Sequence, residues 1–197
     1  MELSIKLYLG LLAGIAFGRL IELRHSRRNQ RRLLQAGSSR SPEPCYVWLV
    51  IFHAAVPAAA ALEVIFLHRP LIPWLAAVSL AAWIGANLLR WWAIRSLGPR
   101  WNVQVMSISS LGVAIRGPYR WIRHPNYAAV FVEMAALPLI HSAWLTAALT
   151  VLPHLLILRT RIALEESVLM RDPAYRAAFG AKPRFLPRLT RQREYAL

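Results

Sequence analysis

Acidic residues and cysteines are scarce in this sequence. Only nine of its 197 residues are Asp or Glu, against 24 Lys or Arg, and Cys45 is the single cysteine. One cysteine excludes an intramolecular disulfide. The glycines form no Gly-x-Gly-x-x-Gly element, which excludes the dinucleotide-binding fingerprint of a Rossmann domain. No group of His, Cys, Asp and Glu residues has the spacing of a zinc site, so we expect no bound metal.

Apolar residues dominate the chain. They make up 57% of it, and only 17% of the residues are charged, a composition that does not fit a soluble globular domain. Several apolar runs reach or approach the roughly 20 residues that a bilayer-spanning helix needs. We therefore predict an all-α integral-membrane helical bundle. Its five helices should lie at about residues 3–23, 46–67, 74–94, 127–141 and 143–158, the last two forming a hairpin that turns at 139–142.

The basic residues are concentrated in three segments. Residues 24–44 hold six, residues 95–125 five and residues 159–197 nine of the 24 Lys and Arg. With five spans these segments share one side of the membrane, and the positive-inside rule places that side in the cytoplasm and the N-terminus outside. The net charge of +15 then reflects topology and contact with anionic lipids, and we expect no nucleic acid partner. The 22 Arg against two Lys fit a high-GC genome and hence a bacterial inner membrane.

Three glycines lie on one face of the first apolar run. Gly10, Gly14 and Gly18 recur at four-residue spacing, a pattern that lets membrane helices approach closely. We expect this face to pack within the monomer or against a second copy in a dimer.

The segment that follows has the composition of a mobile linker. Residues 24–44 contain Gly37-Ser38-Ser39 and Pro42-Glu43-Pro44, and the part from Arg24 to Gln35 is expected to lie along anionic headgroups. Cys45 at its end permits palmitoylation, although a small buried apolar residue is the simpler interpretation.

Some polar residues interrupt the apolar runs. We interpret Arg90 as a side chain that snorkels to the interface and Glu63 as an interfacial group near Arg69. Glu133 is costly in a membrane helix unless it is paired or lines a cavity, and the sequence leaves both alternatives open.

Residues 98–118 cannot form one helix. They contain Gly98, Pro99, Gly112, Gly117 and Pro118, which break a helical repeat. The segment is nevertheless rich in apolar residues. Irregular backbone near lipid is tolerated where protein shields it, so we expect this segment to cover or line a pocket at the interface.

A dense polar cluster follows at the start of the fourth predicted helix. The chain reads Gly117-Pro-Tyr-Arg-Trp-Ile-Arg-His-Pro-Asn-Tyr127, where lipid-facing sequence normally has few polar groups. Pro125 biases His124 towards an extended conformation, so a helix should begin at Pro125. The free amides near Asn126 and Tyr127 would then favour a bound carboxylate.

Arg161 and Glu165 lie four residues apart and share a helical face. They could form an ordinary surface ion pair, which contributes little to stability. The concentration of Arg159, Arg161, Glu165 and Glu166 at a membrane boundary instead favours a functional site.

Taken together, these elements resemble the isoprenylcysteine carboxyl methyltransferase family of integral-membrane enzymes, which is related to phospholipid methyltransferases. The resemblance covers about residues 95–190. It is carried by Leu97-Gly98 with Trp101, Gly117-Pro118-Tyr119, Arg123 to Tyr127, Arg161 with Glu165-Glu166, Tyr175 and Pro187.

The resemblance implies methyl transfer from S-adenosylmethionine to a lipophilic acceptor, such as a carboxylate, a phenol or a lipid headgroup, that enters from the bilayer. It implies that Arg161 binds the substrate and that Arg161 and Glu165 are the catalytic residues. The cofactor-binding positions that it implies are Gln104, Leu111, Gly112, Val113, Ala114, Tyr119, His124, Pro125, Asn126, Tyr127 and Glu165. Aromatic faces and a carboxylate among them suit a cationic sulfonium.

On this interpretation the chain has two parts. Residues 1–94 form three membrane helices with a basic cytoplasmic loop at 24–45. Residues 95–197 form the catalytic part, with the cofactor loop, the last two membrane helices and a cytoplasmic C-terminal segment.

Two other functions compete with this one. Membrane sterol and steroid reductases that use NADPH carry a similar Arg-His-Pro-Asn-Tyr, but there a Gly-Glu usually follows, whereas this chain has Ala128-Ala129-Val130. A non-enzymatic membrane scaffold would have scattered polar residues, not a cluster at one end of the last spans.

Overall fold

The computed structural model describes residues 2–44, 46–108 and 110–187, in which helices joined by irregular segments make up the fold. The prediction of an all-α fold is confirmed: the described residues form no β-strand, only a single β-bridge between Arg40 and Met106. Cys45, the possible palmitoylation site, and residues 188–197 lie outside the described residues. The helices are α1 (Glu2–Gln35), α2 (Tyr46–Phe66), α3 (Pro73–Leu97), α4 (Pro125–Leu139), α5 (Trp144–Leu169) and α6 (Pro173–Phe179).

Four of these helices, α1, α2, α3 and α5, are long and apolar enough to cross a membrane. Helix α4 has 15 residues and is too short to do so alone. It forms the predicted hairpin with α5, and the turn between them closes where Ala143 N donates to Pro138 O over 3.0 Å. Four long helices and one short one agree with the predicted count of about five. The division at residue 94 stays a prediction.

The first helix continues well beyond the apolar run. Because α1 extends to Gln35, the prediction of a mobile linker over residues 24–44 is wrong for most of that segment. The reason is tertiary contact: Ser26, Asn29 and Leu33 are buried in the C-terminal half of the helix. Asn29 Nδ2 donates to Trp101 O over 2.8 Å, and Ser26 Oγ accepts from Val103 N over 2.9 Å. Polar residues here anchor the helix to the irregular segment after α3.

The three basic segments lie together at one end of the bundle. The contact between Asn29 and Trp101 joins the first to the second, and a hydrogen bond between His124 and Glu166 joins the second to the third. At the opposite end Glu63 pairs with Arg69 at 2.9 Å and accepts from Thr146 N at 2.7 Å, near the start of α5. The described part of the chain therefore has the charge asymmetry on which the topology prediction depends.

Buried ion pairs connect α1, α3 and α4. Glu22 accepts from Arg19 at 2.6 Å and from Arg90 at 2.7 Å, and Arg19 also pairs with Glu133. Arg90 is buried and paired, so the prediction that it snorkels is wrong. Glu133 is both paired and part of a cavity wall, so the two alternatives left open for it hold together. A charge close to lipid is tolerated here because its partner lies on a neighbouring helix.

The glycine face of α1 borders a groove and makes no close helix contact: Gly14 and Gly18 line a pocket together with Trp83 and Asn87 of α3. Among the described residues, no atom lies within 4 Å of the position that a Cβ would take at Gly10, Gly14 or Gly18. The face is thus free for contact outside the monomer.

The charge asymmetry predicts which loops a reagent can reach. In a variant with Cys45 replaced by alanine, Leu67→Cys should react with a membrane-impermeant maleimide on intact cells, because the positive-inside rule predicts that the loop between α2 and α3 lies outside. Gln35→Cys should react only after the membrane is permeabilised. The reverse labelling pattern would contradict the proposed orientation.

The ion-pair network predicts a stability difference between two glutamates. Glu22→Gln leaves the buried Arg90 without its carboxylate and the partly buried Arg19 with Glu133 alone, and should lower the free energy of unfolding by about 3 kcal/mol. Glu2→Gln removes an exposed pair with Lys6 and should change it by well under about 1 kcal/mol. Thermal unfolding in detergent measures both, and equal effects would show that the network does not stabilise the bundle.

Candidate active site

Positive-φ glycines shape the irregular segment between α3 and α4. Gly112 has φ 67° and Gly117 has φ 54°, a conformation that favours glycine. A Cβ at Gly117 would also lie 2.0 Å from Ser96 Oγ, so the chain can pass α3 this closely only with glycine. Arg100 Nε donates to Gly112 O over 2.9 Å and folds the segment back on itself. These constraints turn an apolar stretch into the wall of a pocket, as the sequence predicts.

The pocket, which we term the loop cavity, encloses about 940 Å³ including its open mouth. Its walls come from the irregular segment, from the start of α4, from α5 and from α6. Most of the expected cofactor positions line it: Gln104, Gly112, Val113, Ala114, Tyr119, His124, Asn126, Tyr127 and Glu165. Leu111 and Pro125 do not; the Leu111 carbonyl accepts from Arg100, and Pro125 is buried as the first residue of α4. That α4 begins at Pro125 confirms the helix start inferred from the sequence.

His124 is held between two carboxylates. Its ring is buried, with Nε2 at 2.9 Å from Glu166 Oε1 and Nδ1 at 3.7 Å from Glu165 Oε1. Glu166 also pairs with Arg123 at 3.1 Å and with Arg184 at 2.6 Å. Glu166 thus occupies Nε2 of the ring, whereas the distance from Nδ1 to Glu165 is too long for a hydrogen bond.

Two buried polar atoms near the cavity lack a hydrogen-bond partner within the described part of the chain. They are Asn126 Oδ1 and Arg123 Nε, and both residues line the loop cavity. A buried polar group without a partner is costly. Such atoms are typical of a site that a polar ligand completes.

Neutral phenols form part of the same wall. Burial raises the pKa of Tyr119 and of Tyr175 far above the ordinary range of a phenol, and the nearby Glu165 carboxylate raises each further. Tyr175 is placed by α6, where Asp172 Oδ1 caps the helix by accepting from Tyr175 N over 3.0 Å. Both rings therefore stay uncharged and offer aromatic faces to the cavity.

A second cavity, the membrane cavity, adjoins the first at Tyr127 and measures about 930 Å³ including its open mouth. Apolar residues of α2, α4 and α5 line much of it: Leu49, Val50, Val130, Met134 and Leu158. The ion-paired side chains that connect α1, α3 and α4 line another part: Arg19, Glu22, Arg90 and Glu133. Four residues line both cavities and so form the wall between them: Trp101, Asn102, Asn126 and Tyr127. Arg161 lines only the membrane cavity of the two, whereas Glu165 lines only the loop cavity.

The Tyr127 hydroxyl joins the two catalytic candidates. It donates to Glu165 Oε2 and accepts from Arg161 Nε over 2.9 Å. Arg161 also donates to Val103 O and forms an ion pair with Glu43. Within the described residues, the carboxylate that pairs directly with Arg161 is therefore Glu43. Arg161 and Glu165 do not form the surface ion pair that their spacing allowed. Arg161 is mostly buried, which a solvated pair would not be.

Sequence reasoning missed several residues of the site. Glu43 gave no local signal, because 118 residues separate it from Arg161. Arg100, Arg123 and Phe179 also line the loop cavity without having been assigned to it. For Arg123 the signal was present, since it lies inside the polar cluster that precedes α4.

Comparison with known proteins matches this architecture. A family model described as the isoprenylcysteine carboxyl methyltransferase family matches residues 77–171. The uncharacterized protein YpbQ of Bacillus subtilis strain 168 is 27% identical over 159 residues, which is 81% of this chain and 94% of that protein. The solved structure of the eukaryotic intramembrane Ras methyltransferase, an isoprenylcysteine carboxyl methyltransferase, is 25% identical with a TM-score of 0.51. That likeness covers 66% of this chain but only 48% of the solved chain, so this chain matches about half of that enzyme.

Proposed function

We propose that this chain, which belongs to the isoprenylcysteine carboxyl methyltransferase family, transfers a methyl group from S-adenosylmethionine to a lipophilic acceptor at the membrane surface. The observation that carries the proposal is the pair of cavities that meet at Asn126 and Tyr127. One opens among polar loops and the other among membrane helices. A water-soluble donor and a lipid-soluble acceptor can thus approach the same wall from opposite sides.

The loop cavity fits the cofactor. When bound there, S-adenosylmethionine would supply an electrophilic methyl group on a cationic sulfur. The Glu165 carboxylate and the neutral rings of Tyr119 and Tyr127 favour that charge. Arg123, whose Nε lacks a partner among the described residues, is suited to the methionyl carboxylate, and Asn126 Oδ1 can accept a hydrogen bond from the ligand. The rest of the cofactor would contact Gln104 and the residues from Gly112 to Ala114.

The membrane cavity suits the acceptor. Its apolar walls can take a hydrocarbon body, and Arg161 can hold a carboxylate, phenol or headgroup oxygen facing Tyr127. Methyl transfer depends on positioning more than on acid–base chemistry once the nucleophile is ionised. Arg161 therefore acts by orienting the acceptor, and Glu165 by favouring the sulfonium.

The orientation of the chain follows from the same arrangement. The end of the bundle that holds both the basic segments and the loop cavity would face the cytoplasm, where S-adenosylmethionine is made. This orientation places the N-terminus on the outer side of a bacterial inner membrane and the C-terminus in the cytoplasm.

Two alternatives find less support. A scaffold would not require the polar cluster to converge on two adjoining cavities. A reductase would need its nicotinamide cofactor in the loop cavity, and no feature of the cavity favours it over S-adenosylmethionine.

The open glycine face of α1 supports a partner proposal. Because Gly10, Gly14 and Gly18 have open space around them, a second copy of α1 could pack closely there and form a dimer.

Glu165→Gln should weaken S-adenosylmethionine binding while keeping the shape of the side chain. We expect a loss of about 1–3 kcal/mol, the scale of a charge-assisted hydrogen bond. Calorimetry on the purified protein measures it, with Arg159→Gln as a control, because Arg159 is exposed on the same helix and lies outside the cavity. Equal affinity in wild type and Glu165→Gln would place the cofactor elsewhere.

Arg161→Lys keeps the charge and loses the planar fork of the guanidinium. S-adenosylmethionine affinity should stay within about threefold of wild type. The rate of methyl transfer should fall about a hundredfold or more, because a positioning contact is lost. Lipophilic carboxylates, alkylphenols and phosphatidylethanolamine, assayed with radiolabelled S-adenosylmethionine, give the rates. Loss of cofactor binding in a folded Arg161→Lys protein would instead assign Arg161 to the loop cavity.

A further inference from the structure

Glu43 connects the two cavities from a distant part of the sequence. It lies between Pro42 and Pro44 in the segment after α1, and its side chain is only 4% exposed. One carboxylate oxygen accepts from Val105 N, and the other pairs with Arg161 Nη1. A buried carboxylate with two charge-assisted or backbone partners is held in one geometry.

The two partners of Glu43 belong to different cavities. Val105 lines the loop cavity and Arg161 lines the membrane cavity. Arg161 Nη2 also donates to Val103 O, so two contacts hold the guanidinium against the segment 103–105. Arg161 Nε donates to the Tyr127 hydroxyl, so each of the three guanidinium nitrogens has a hydrogen-bond partner.

We propose that Glu43 is a positioning residue that orients Arg161 towards the acceptor and couples it to the cofactor loop, the irregular segment between α3 and α4 that lines the loop cavity. This inference rests on the proposed function. Arg161 is a long side chain with several rotatable bonds, and its fork can align an acceptor only when its plane is fixed. Glu43 fixes that plane and is the carboxylate in direct contact with the buried Arg161 charge.

The loop segment does not need this carboxylate in order to dock. Ser41 N donates to Val105 O over 3.0 Å, and Ser107 N donates to Ser39 O over 3.0 Å. These two hydrogen bonds form the bridge between Arg40 and Met106, and Ser38 Oγ donates to Ser107 O over 2.6 Å as a third connection. Loss of the Glu43 charge should therefore leave the cofactor loop in place and act on Arg161.

Glu43→Gln is the sharpest test. The amide can keep either the Val105 contact or an acceptor for Arg161, but it carries no charge, and one of the two contacts is lost. The matched control is Ser39→Ala, which removes one exposed side-chain contact to Ser107 in the same segment and leaves Arg161 untouched. Both variants are compared with Arg161→Lys and with the double variant Glu43→Gln/Arg161→Lys.

The acceptor is a lipid extract of cells from which the gene has been deleted, and the donor is radiolabelled S-adenosylmethionine. We expect Glu43→Gln to lower the rate at saturating extract about tenfold or more, with cofactor affinity within about threefold of wild type. Ser39→Ala should match wild type. In the Arg161→Lys background, Glu43→Gln should cost no more than about twofold, because residues that act as one unit are not additive.

Each other outcome has a distinct meaning. A wild-type protein that methylates nothing in the extract overturns the proposed function. An active wild type with an equally active Glu43→Gln variant overturns only the positioning role. A smaller half-saturating amount of extract with an unchanged maximal rate would show that Glu43 competes with the acceptor for Arg161, which also contradicts the proposal. Additive effects in the double variant would show that Glu43 acts elsewhere, and melting temperatures of all variants exclude unfolding as the cause.

Discussion

A charged side chain beside lipid must have a partner, and this requirement organises the bundle. Arg90 reaches across from α3 to share Glu22 with Arg19 of α1, and Glu133 pairs with Arg19 from α4. The same requirement governs the site, where Arg161 is neutralised by Glu43 from the other half of the chain. Each pair costs desolvation and is therefore weak evidence for stability by itself. What it provides is a fixed geometry for groups that otherwise would move freely.

Tyr127 lies where the two cavities meet. Its ring stands between a cavity among loops and a cavity among membrane helices, and its hydroxyl touches a residue of each. This separation would let a polar donor bind from the aqueous side while a lipophilic acceptor binds from the bilayer. Tyr127 is placed there because α4 begins at Pro125, two residues earlier, immediately after a segment bent by Gly112 and Gly117.

Local sequence patterns predicted much of this arrangement. Apolar runs located the long helices, Pro125 marked the start of α4, and the resemblance gave nine residues that line the loop cavity. Contacts between distant segments were not predictable. The length of α1 depends on Asn29 meeting Trp101, and the partner of Arg161 lies 118 residues away. Arg90 looked like a snorkelling side chain because its partner Glu22 is on another helix.

The decisive measurement is a structure of the protein bound to S-adenosylhomocysteine. We expect the ligand in the loop cavity, with its sulfur directed at the wall that contains Asn126 and Tyr127, and with Arg161 beyond that wall. A ligand bound outside the loop cavity, or with its sulfur turned away from Tyr127, would rule out methyl transfer across this wall.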